Sequence, residues 1–365
     1  MNIQIVSGLT PKIKRDFLSI PKIIYDDRDC PQDLDTEKAI LEGKHAISKD
    51  ITVMPFVIYD YGKPKARCLV TFYENDDKAY LGYYECDNDI NLSNIMLTEV
   101  EKYVKSNHKT DIVGPIDASF WIGYRFRLME NQNEAYNRHF TGEPYHKEYY
   151  PEFWKSYGFE ILDTYKSNFY RHVRKSDICG KYKKRMDTGV YDEITVRSSS
   201  KETFESDLEI IYEQIVSLYK TFPMYKDITI DQFKRLFNHY KDLLDLDMVK
   251  LAFKDSKIVG FVICFPNYGT NTLGRLGITK FVHYLTMKDN IDEYVVMYCG
   301  VDPAHYGIGL LLSEIIKSEL ISKGCSSIGA LIKQGKVTGA YYKELTTDTV
   351  EYITLSKKVD TKDEI

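Results

Sequence analysis

Val295-Val296-Met297-Tyr298-Cys299-Gly300-Val301-Asp302-Pro303-Ala304-His305-Tyr306-Gly307-Ile308-Gly309-Leu310-Leu311-Leu312 joins an apolar strand, a tight loop with two glycines and the start of a helix. A helix start leaves backbone N–H groups unpaired, and its dipole favours negative charge there. Gly307 and Gly309 remove side chains, so an anion such as a pyrophosphate can approach the backbone. Behind the loop, Ile308, Leu311, Leu312, Ile315 and Ile316 follow helical spacing. Ser313, Glu314, Lys317 and Ser318 take the other, polar face. One face is thus expected to anchor in a core and hold the helix start rigid. The stretch is neither a P-loop, which needs G-x-x-x-x-G-K-[ST], nor a complete dinucleotide fingerprint, since Leu312 stands where the third glycine belongs.

Downstream, Ser326–Ile332 reads as a strand, Thr338–Leu345 as a short helix and Val350–Lys357 as a last strand. Upstream, Ile194–Arg197 reads as a strand, Glu205–Tyr219 and Ile230–Leu243 as helices, and Met248–Phe253 with Ile258–Phe265 as a hairpin. Glu293–Val301 is the strand of the opening motif, and Thr270–Lys288 is an insert before it, placed to act as a lid. The first half repeats this order: an opening strand Ile3–Val6, a helical stretch to Ser48, then strands Ile51–Tyr59, Ala66–Tyr73 and Ala79–Cys86. A helix Ser93–Ser106, a strand Asp111–Ile116, a short helix Tyr149–Tyr157 and a strand Phe159–Phe169 complete it. Tyr61-Gly62-Lys63-Pro64 and Asn75-Asp76-Asp77 supply turns between strands. Between the halves, the basic stretch Arg171–Lys175 and Lys181–Arg185 reads first as a solvated linker, and otherwise as a basic wall for an anionic ligand.

Taken together, the strand, the Val301-Asp302-Pro303 step, the two-glycine loop and the helix resemble the acyl-CoA-binding motif of the GNAT (GCN5-related) N-acetyltransferase superfamily. Val301, Pro303, Gly307, Gly309 and Leu312 carry the match. Gly339-Ala340-Tyr341-Tyr342-Lys343-Glu344-Leu345 resembles that family's tyrosine segment, and Tyr149 to Phe159 resembles it again in the first half. The resemblance implies an α/β fold of two tandem GNAT-like domains, each a twisted mixed sheet flanked by helices. They would span 1–173, a basic linker 174–190, and 191–365. The motif departs from the family in a shorter loop after Pro303, in Ala304 or His305 where Arg or Gln is usual, and in Thr346-Thr347 after the tyrosine segment. In the first half the corresponding loop, Asp87-Asn88-Asp89-Ile90-Asn91, has no glycine and two carboxylates, which would repel a pyrophosphate. That half is expected to have lost CoA binding and to shape the acceptor side.

The resemblance further implies transfer of an acetyl or other small acyl group from acyl-CoA to a small-molecule or peptide amine. The cofactor would lie along Cys299, Gly300 and Val301, with its pyrophosphate held by Tyr306, Gly307, Ile308, Gly309 and Leu310. Tyr342 would protonate the leaving thiolate, with Tyr341 as the fallback one register away. A phenol, with its ordinary value of about 10, stays protonated beside a thiol of about 8.5. Asp302, Glu293 and His305 are the candidate bases. In the first half, Ser119-Phe120-Trp121-Ile122-Gly123-Tyr124-Arg125-Phe126 is aromatic-rich, and Trp121, Tyr124 and Arg125 are the acceptor-pocket candidates. Two other readings stay open: a non-catalytic ligand-binding or scaffolding pair of the same fold, and an aminoacyl-tRNA-dependent ligase.

Composition bounds these readings. The 365 residues carry 43% hydrophobic and 28% charged residues, which fits about two globular domains and disfavours disorder. A net charge of −5 gives no electrostatic reason to expect nucleic acid or an anionic membrane. Seven scattered cysteines without a C-x-x-C pair, and eight dispersed histidines without H-E-x-x-H, predict reduced thiols and no metal site. With no apolar leader at the start and no membrane-length apolar run, a cytoplasmic protein is expected. The 30 tyrosines suit wet clefts, where an apolar ring and a polar tip both find partners.

Overall fold

The computed structural model describes residues 2–25, 32–129, 138–269, 287–288, 290–335 and 342–359. The first half runs β1 (Ile3–Ser7), α1 (Pro11–Ile24), α2 (Leu34–Leu41), β2 (Ile51–Asp60), β3 (Lys63–Tyr73), β4 (Lys78–Cys86) and α3 (Ile90–Ser106). It continues with β5 (Asp111–Gly114), β6 (Phe126–Arg127), α4 (Tyr150–Ser156) and β7 (Glu160–Tyr170). A short helix α5 (Gly180–Asp187) lies within the basic stretch. The second half runs β8 (Ile194–Ser198), α6 (Phe204–Tyr219), α7 (Ile230–Phe237), β9 (Val249–Lys254), β10 (Lys257–Pro266), β11 (Glu293–Val301), α8 (Ile308–Lys323), β12 (Ser326–Lys333) and β13 (Thr346–Lys358).

Local chemistry sets several boundaries. Thr10 accepts from the Ile13 amide and Pro11 opens α1, so a donor that would lack a partner is removed. Thr229 and Gln232 cap α7 reciprocally. Gly324, left-handed at φ 70°, ends α8 after Lys323. The helix expected to reach Leu243 stops at Phe237 and continues as a 3-10 turn, Asn238–Asp242. The expected helix Thr338–Leu345 is a 3-10 turn over Lys343–Leu345, with Thr338 to Tyr341 outside the described residues. The last strand starts at Thr346, earlier than expected, because β7 offers it a partner along nearly its whole length.

All strands join one mixed sheet in the order β1-β2-β3-β4-β5-β13-β7-β12-β11-β10-β9-β8, with β6 pairing β13 from the side. The last strands are exchanged. β13, from the second half, pairs β5 of the first (Leu355 with Gly114), and β7, from the first half, pairs β12 of the second (Ile328 with Phe169). The two exchanged strands then pair with each other at the centre. One face of the sheet buries a core common to both halves, reaching from Phe17 and Ile20 of α1 to Ile211 and Ile215 of α6. On the other face each half has its own core. Met96, Val100 and Trp154 fill one, and Leu311, Ile316 and Leu320 of α8 fill the other.

The outer face of α8 departs from expectation. Glu314 and Lys317 are buried and not solvated, and they pair at 2.9 Å. The basic stretch lies over them: the Cys179 amide donates to Glu314 at 2.9 Å, and Lys317 donates to the Asp177 carbonyl at 3.2 Å. The polar side of this helix is therefore the seat of α5.

Candidate active site

β11 pairs β12 in parallel only from Glu293 to Val296, where Val296 faces Gly329. Past that point, Tyr298 to Val301 pair β10 alone, and Met297 is the extra residue of a bulge. A bulge between Ile263 and Cys264 helps turn the strand away, since Cys264 pairs Val296 while Ile263 pairs Tyr298. The side of β11 that faced β12 is left with no strand partner among the described residues. An extended chain could pair with it there. Gly300 is required by close packing, since a Cβ would stand 2.5 Å from Leu218 of α6.

The opened strand feeds the loop. Asp302 accepts from the Ala304 amide at 2.9 Å and from the His305 ring at 3.1 Å, which fixes the turn. Gly307 then takes a left-handed conformation at φ 101° as the residue before α8. Among the described residues, no protein acceptor takes the amides of Tyr306, Gly307, Gly309 or Leu310. Tyr306 is 84% exposed at the tip, while Ile308 is buried beneath it. The bend is open to solvent and its base is anchored.

Two further residues complete the bend: Tyr191, outside the expected set, and Arg185, from the basic stretch whose alternative reading is a wall for an anionic ligand. Tyr191 donates its hydroxyl to the Gly307 carbonyl at 3.1 Å. Arg185 of α5 donates to that same hydroxyl at 3.4 Å and lies over the Tyr306 ring, 5.4 Å from its centre. Its guanidinium is so close that a Cβ at Gly307 would meet Nη1. A cation thus stands beside the free amides, although the loop from Asp302 to Gly307 has no Arg or Lys of its own. The helix that carries it has good helix formers in its sequence and Tyr182 and Arg185 three residues apart, a weak signal that a short basic run hides.

Tyr342 is half-buried, and its hydroxyl donates to the Ser313 carbonyl at 2.6 Å. Burial drives the phenol well above its ordinary value. Its ring lies 5.2 Å from that of Tyr170, whose hydroxyl rests over Gly329 at the point where β11 and β12 part. Tyr341 lies outside the described residues, as does most of the expected Thr270–Lys288 lid. Glu293, a candidate base, is bound by Arg138 at 2.8 Å and by Asn267 at 2.7 Å, a structural engagement away from the loop.

A cavity of about 1250 Å³ connects the parting strands to the first half. Cys299, Gly300, Val301 and Gly309 line one end, and Trp121, Tyr124 and Arg125 line it from the first half. Trp121 bridges the halves by donating from its indole to the Lys226 carbonyl at 2.8 Å. Tyr124 stacks on Phe120, with ring centres 4.9 Å apart.

The first half has the same elements without the opening. β4 pairs β5 through Tyr80 and Val113, but Ile116 then donates its amide to Leu81 at 2.8 Å. A Cβ on Gly82 would strike the Ile116 carbonyl, so backbone fills the wedge. The Cys86 amide is taken by the Tyr150 hydroxyl at 3.0 Å and its carbonyl by the Tyr149 hydroxyl at 2.9 Å. At the start of α3, the Asp89 carboxylate accepts from the Asn91 amide at 2.9 Å. A side-chain anion already occupies this helix start.

This arrangement of two halves in one mixed sheet aligns with solved structures along nearly its whole length. A tandem GNAT protein from the clavulanic acid biosynthesis pathway aligns over 99% of this chain and 100% of its own, at 7% identity and a TM-score of 0.52. The fold is that of a tandem GNAT protein. A GCN5-related N-acetyltransferase from Kribbella flavida aligns over 98% of this chain and 71% of its own, at 7% identity and a TM-score of 0.52. A GCN5-related glucosamine N-acetyltransferase region of a fungal multi-domain β-N-acetylglucosaminidase aligns over 98% of this chain and 38% of its own, at 11% identity and a TM-score of 0.53. No family model and no curated protein sequence matches the chain. The resemblance of the element order to GNAT proteins thus holds at the level of the fold. Among the described residues of this GNAT fold, no helix is long and apolar enough to cross a membrane, and no three His, Cys, Asp or Glu residues are grouped to hold a metal ion.

Proposed function

We propose that this chain is an acyl-CoA-dependent N-acyltransferase that uses the second half to bind an acyl-CoA, with acetyl-CoA the first candidate, and the first half to shape the acceptor site. One observation carries this reading: the unpaired side of β11 leads directly to a solvent-open bend with free amides and a neighbouring arginine. The pantetheine arm would pair with Met297 to Val301. The pyrophosphate would sit on the amides of Gly307, Gly309 and Leu310, with Arg185 supplying the positive charge that the loop itself lacks.

In the reaction, the amine nitrogen attacks the thioester carbonyl carbon. A C–N bond forms, the C–S bond breaks, and the sulfur leaves with the bonding pair. The proton lost by the amine ends on sulfur as the CoA thiol. Tyr342 is the proposed proton donor to sulfur, and the proton lost by the amine, taken up by water, then restores the phenol, so that the net transfer is from nitrogen to sulfur. Its proton points to Ser313, so the hydroxyl must swing to the sulfur as the thiolate forms, and Tyr170 stands beside it at the parting of the strands.

Calorimetry with acetyl-CoA tests the proposal. Micromolar binding that Gly309→Glu abolishes, with the melting temperature preserved, is the expected result. Absence of binding, or binding untouched by that substitution, ends it. A second reading, a ligand-binding pair without turnover, is favoured by the commitment of the Tyr342 proton to Ser313. It predicts acetyl-CoA binding with no acyl transfer, and no change of turnover in Tyr342→Phe.

A further inference from the structure

Arg125 is the exceptional cation of the central cavity. It is 8% exposed. Its guanidinium is held between two rings, 3.7 Å from the centre of Tyr124 and 4.3 Å from that of Tyr165. Nη2 donates to the Tyr124 hydroxyl. Nε is buried and has no acceptor. Among the described residues, no carboxylate forms an ion pair with this side chain. The other buried arginines differ: Arg67 has Glu37, and Arg127 has Glu143 at 3.1 Å. A guanidinium carries five donors, and burying one without an anion is costly. Ring faces offset part of that cost but take no N–H in the guanidinium plane. Its backbone sits at φ 93°, a region that side chains rarely adopt.

The place of this cation matters as much as its lack of a partner. Arg125 lines the cavity from the first half, and Tyr219 of α6 and Tyr298 of β11 line it from the second, both within reach of the Arg125 charge. Burial, with Tyr124 as a neighbour, pushes the Tyr298 phenol up to about 12, and the Arg125 charge acts against that rise. Tyr298 lies on the segment of β11 that has parted from β12. Whatever lies between Arg125 and that segment is therefore next to the acyl position. On the reading proposed above, that molecule is the acceptor.

We propose that Arg125 receives the carboxylate of the acceptor, and that the acceptor class is amines bearing an acidic group, of the amino-acid type. A small turn of the stacked, planar guanidinium would bring its unpartnered Nε into a fork on a carboxylate in the cavity, with the amine of the same molecule directed toward β11. This inference rests on the acyltransferase reading. Acylation removes the ammonium charge, so the product is an N-acyl acid with a net negative charge.

The test incubates the full chain with labelled acetyl-CoA and a cell-metabolite extract, then separates labelled amides on an anion exchanger. Label retained as anionic amides is the expected result. Arg125→Met should lower it roughly 100-fold while leaving the acetyl-CoA dissociation constant within about twofold, as expected when a buried charge partner is removed. Arg125→Lys keeps the charge but not the fork, and should lose roughly tenfold. It also serves if the methionine variant fails to fold. Label in neutral or cationic amides, label undiminished in both variants, or acetyl-CoA binding with no amide formed overturns the assignment. So does a preference for succinyl-CoA over acetyl-CoA that Arg125→Met removes, because the carboxylate would then belong to the acyl group. Failure to bind acetyl-CoA at all removes the acyltransferase reading, and this inference with it.

Discussion

The Tyr191 hydroxyl donates to the Gly307 carbonyl at 3.1 Å, tying the entry to the second half to the left-handed residue that starts α8. Arg185 donates to that same hydroxyl, so one phenol links the cation of α5 to the free amides of the bend. The link makes the bend and its charge a single unit. Tyr191→Phe should weaken acetyl-CoA binding about fivefold, the worth of one neutral hydrogen bond. Arg185→Ala should weaken it about tenfold at low ionic strength, with a smaller effect at 0.5 M salt (roughly a 4 Å screening length), because a half-buried charge beside solvent is still screened. Calorimetry at two salt concentrations checks both; an effect of Arg185→Ala that salt leaves unchanged would place the arginine away from the phosphates.

The start of α3 holds its own carboxylate, where the start of α8 holds free amides. Asp89→Ala should cost about 1 kcal/mol of stability as a lost helix cap. It should leave acetyl-CoA affinity and a stoichiometry of one per chain unchanged. Thermal melts and titrations measure the two effects separately, and a second acetyl-CoA site in the variant would contradict the closed state of the first-half wedge.

Glu85 is buried and its carboxyl is pushed up to about 7, chiefly by burial, despite Arg67 and the Tyr150 and Tyr25 hydroxyls that stabilise the anion. The unfolded group ionises near 4.5. Between these values the folded chain holds a proton that the unfolded chain has released, so the contribution of Glu85 to stability is fully present below about pH 4.5 and is lost as pH rises through about 7. Asp117, raised by burial to about 6, acts in the same direction. The Glu85 contribution is on the order of 3 kcal/mol. Melting temperatures between pH 5 and pH 8 (roughly spanning the raised carboxyl range) should fall for the native chain and fall less for Glu85→Gln. Parallel profiles would show that Glu85 titrates normally.

Neither half closes its own sheet. β5 needs β13 and β12 needs β7. Residues 1–190 and 191–365, produced apart, should each lack a cooperative melting transition. Produced together, they should assemble as a soluble one-to-one complex. A cooperative melt by either fragment alone would contradict the role given to the exchanged strands.

The sequence made β11, its loop and α8 legible because their signals are local: an apolar run, a proline step, two glycines and a helical period. The polar face of α8 misleads, because Glu314 and Lys317 look like solvent residues until the Asp177 carbonyl and the Cys179 amide are laid over them. Strand exchange left no trace, since β7 and β13 would read the same in either partner's sheet. The basic stretch was legible as an alternative wall for an anionic ligand, but Arg185 could not be singled out within it, since its value lies in facing Gly307, more than a hundred residues away in the chain. Arg125 stood out by its aromatic neighbours, whereas its lack of an anion is a three-dimensional fact.

The exchange also has a consequence for biosynthesis. While the ribosome is still making the second half, β5 and β7 of the first have already emerged and β13 does not yet exist. The nascent chain must therefore carry an open slot with bare edge groups until its final strand leaves the exit tunnel. Translation speed and chaperone supply should thus govern the yield of this protein more than the stability of its finished form.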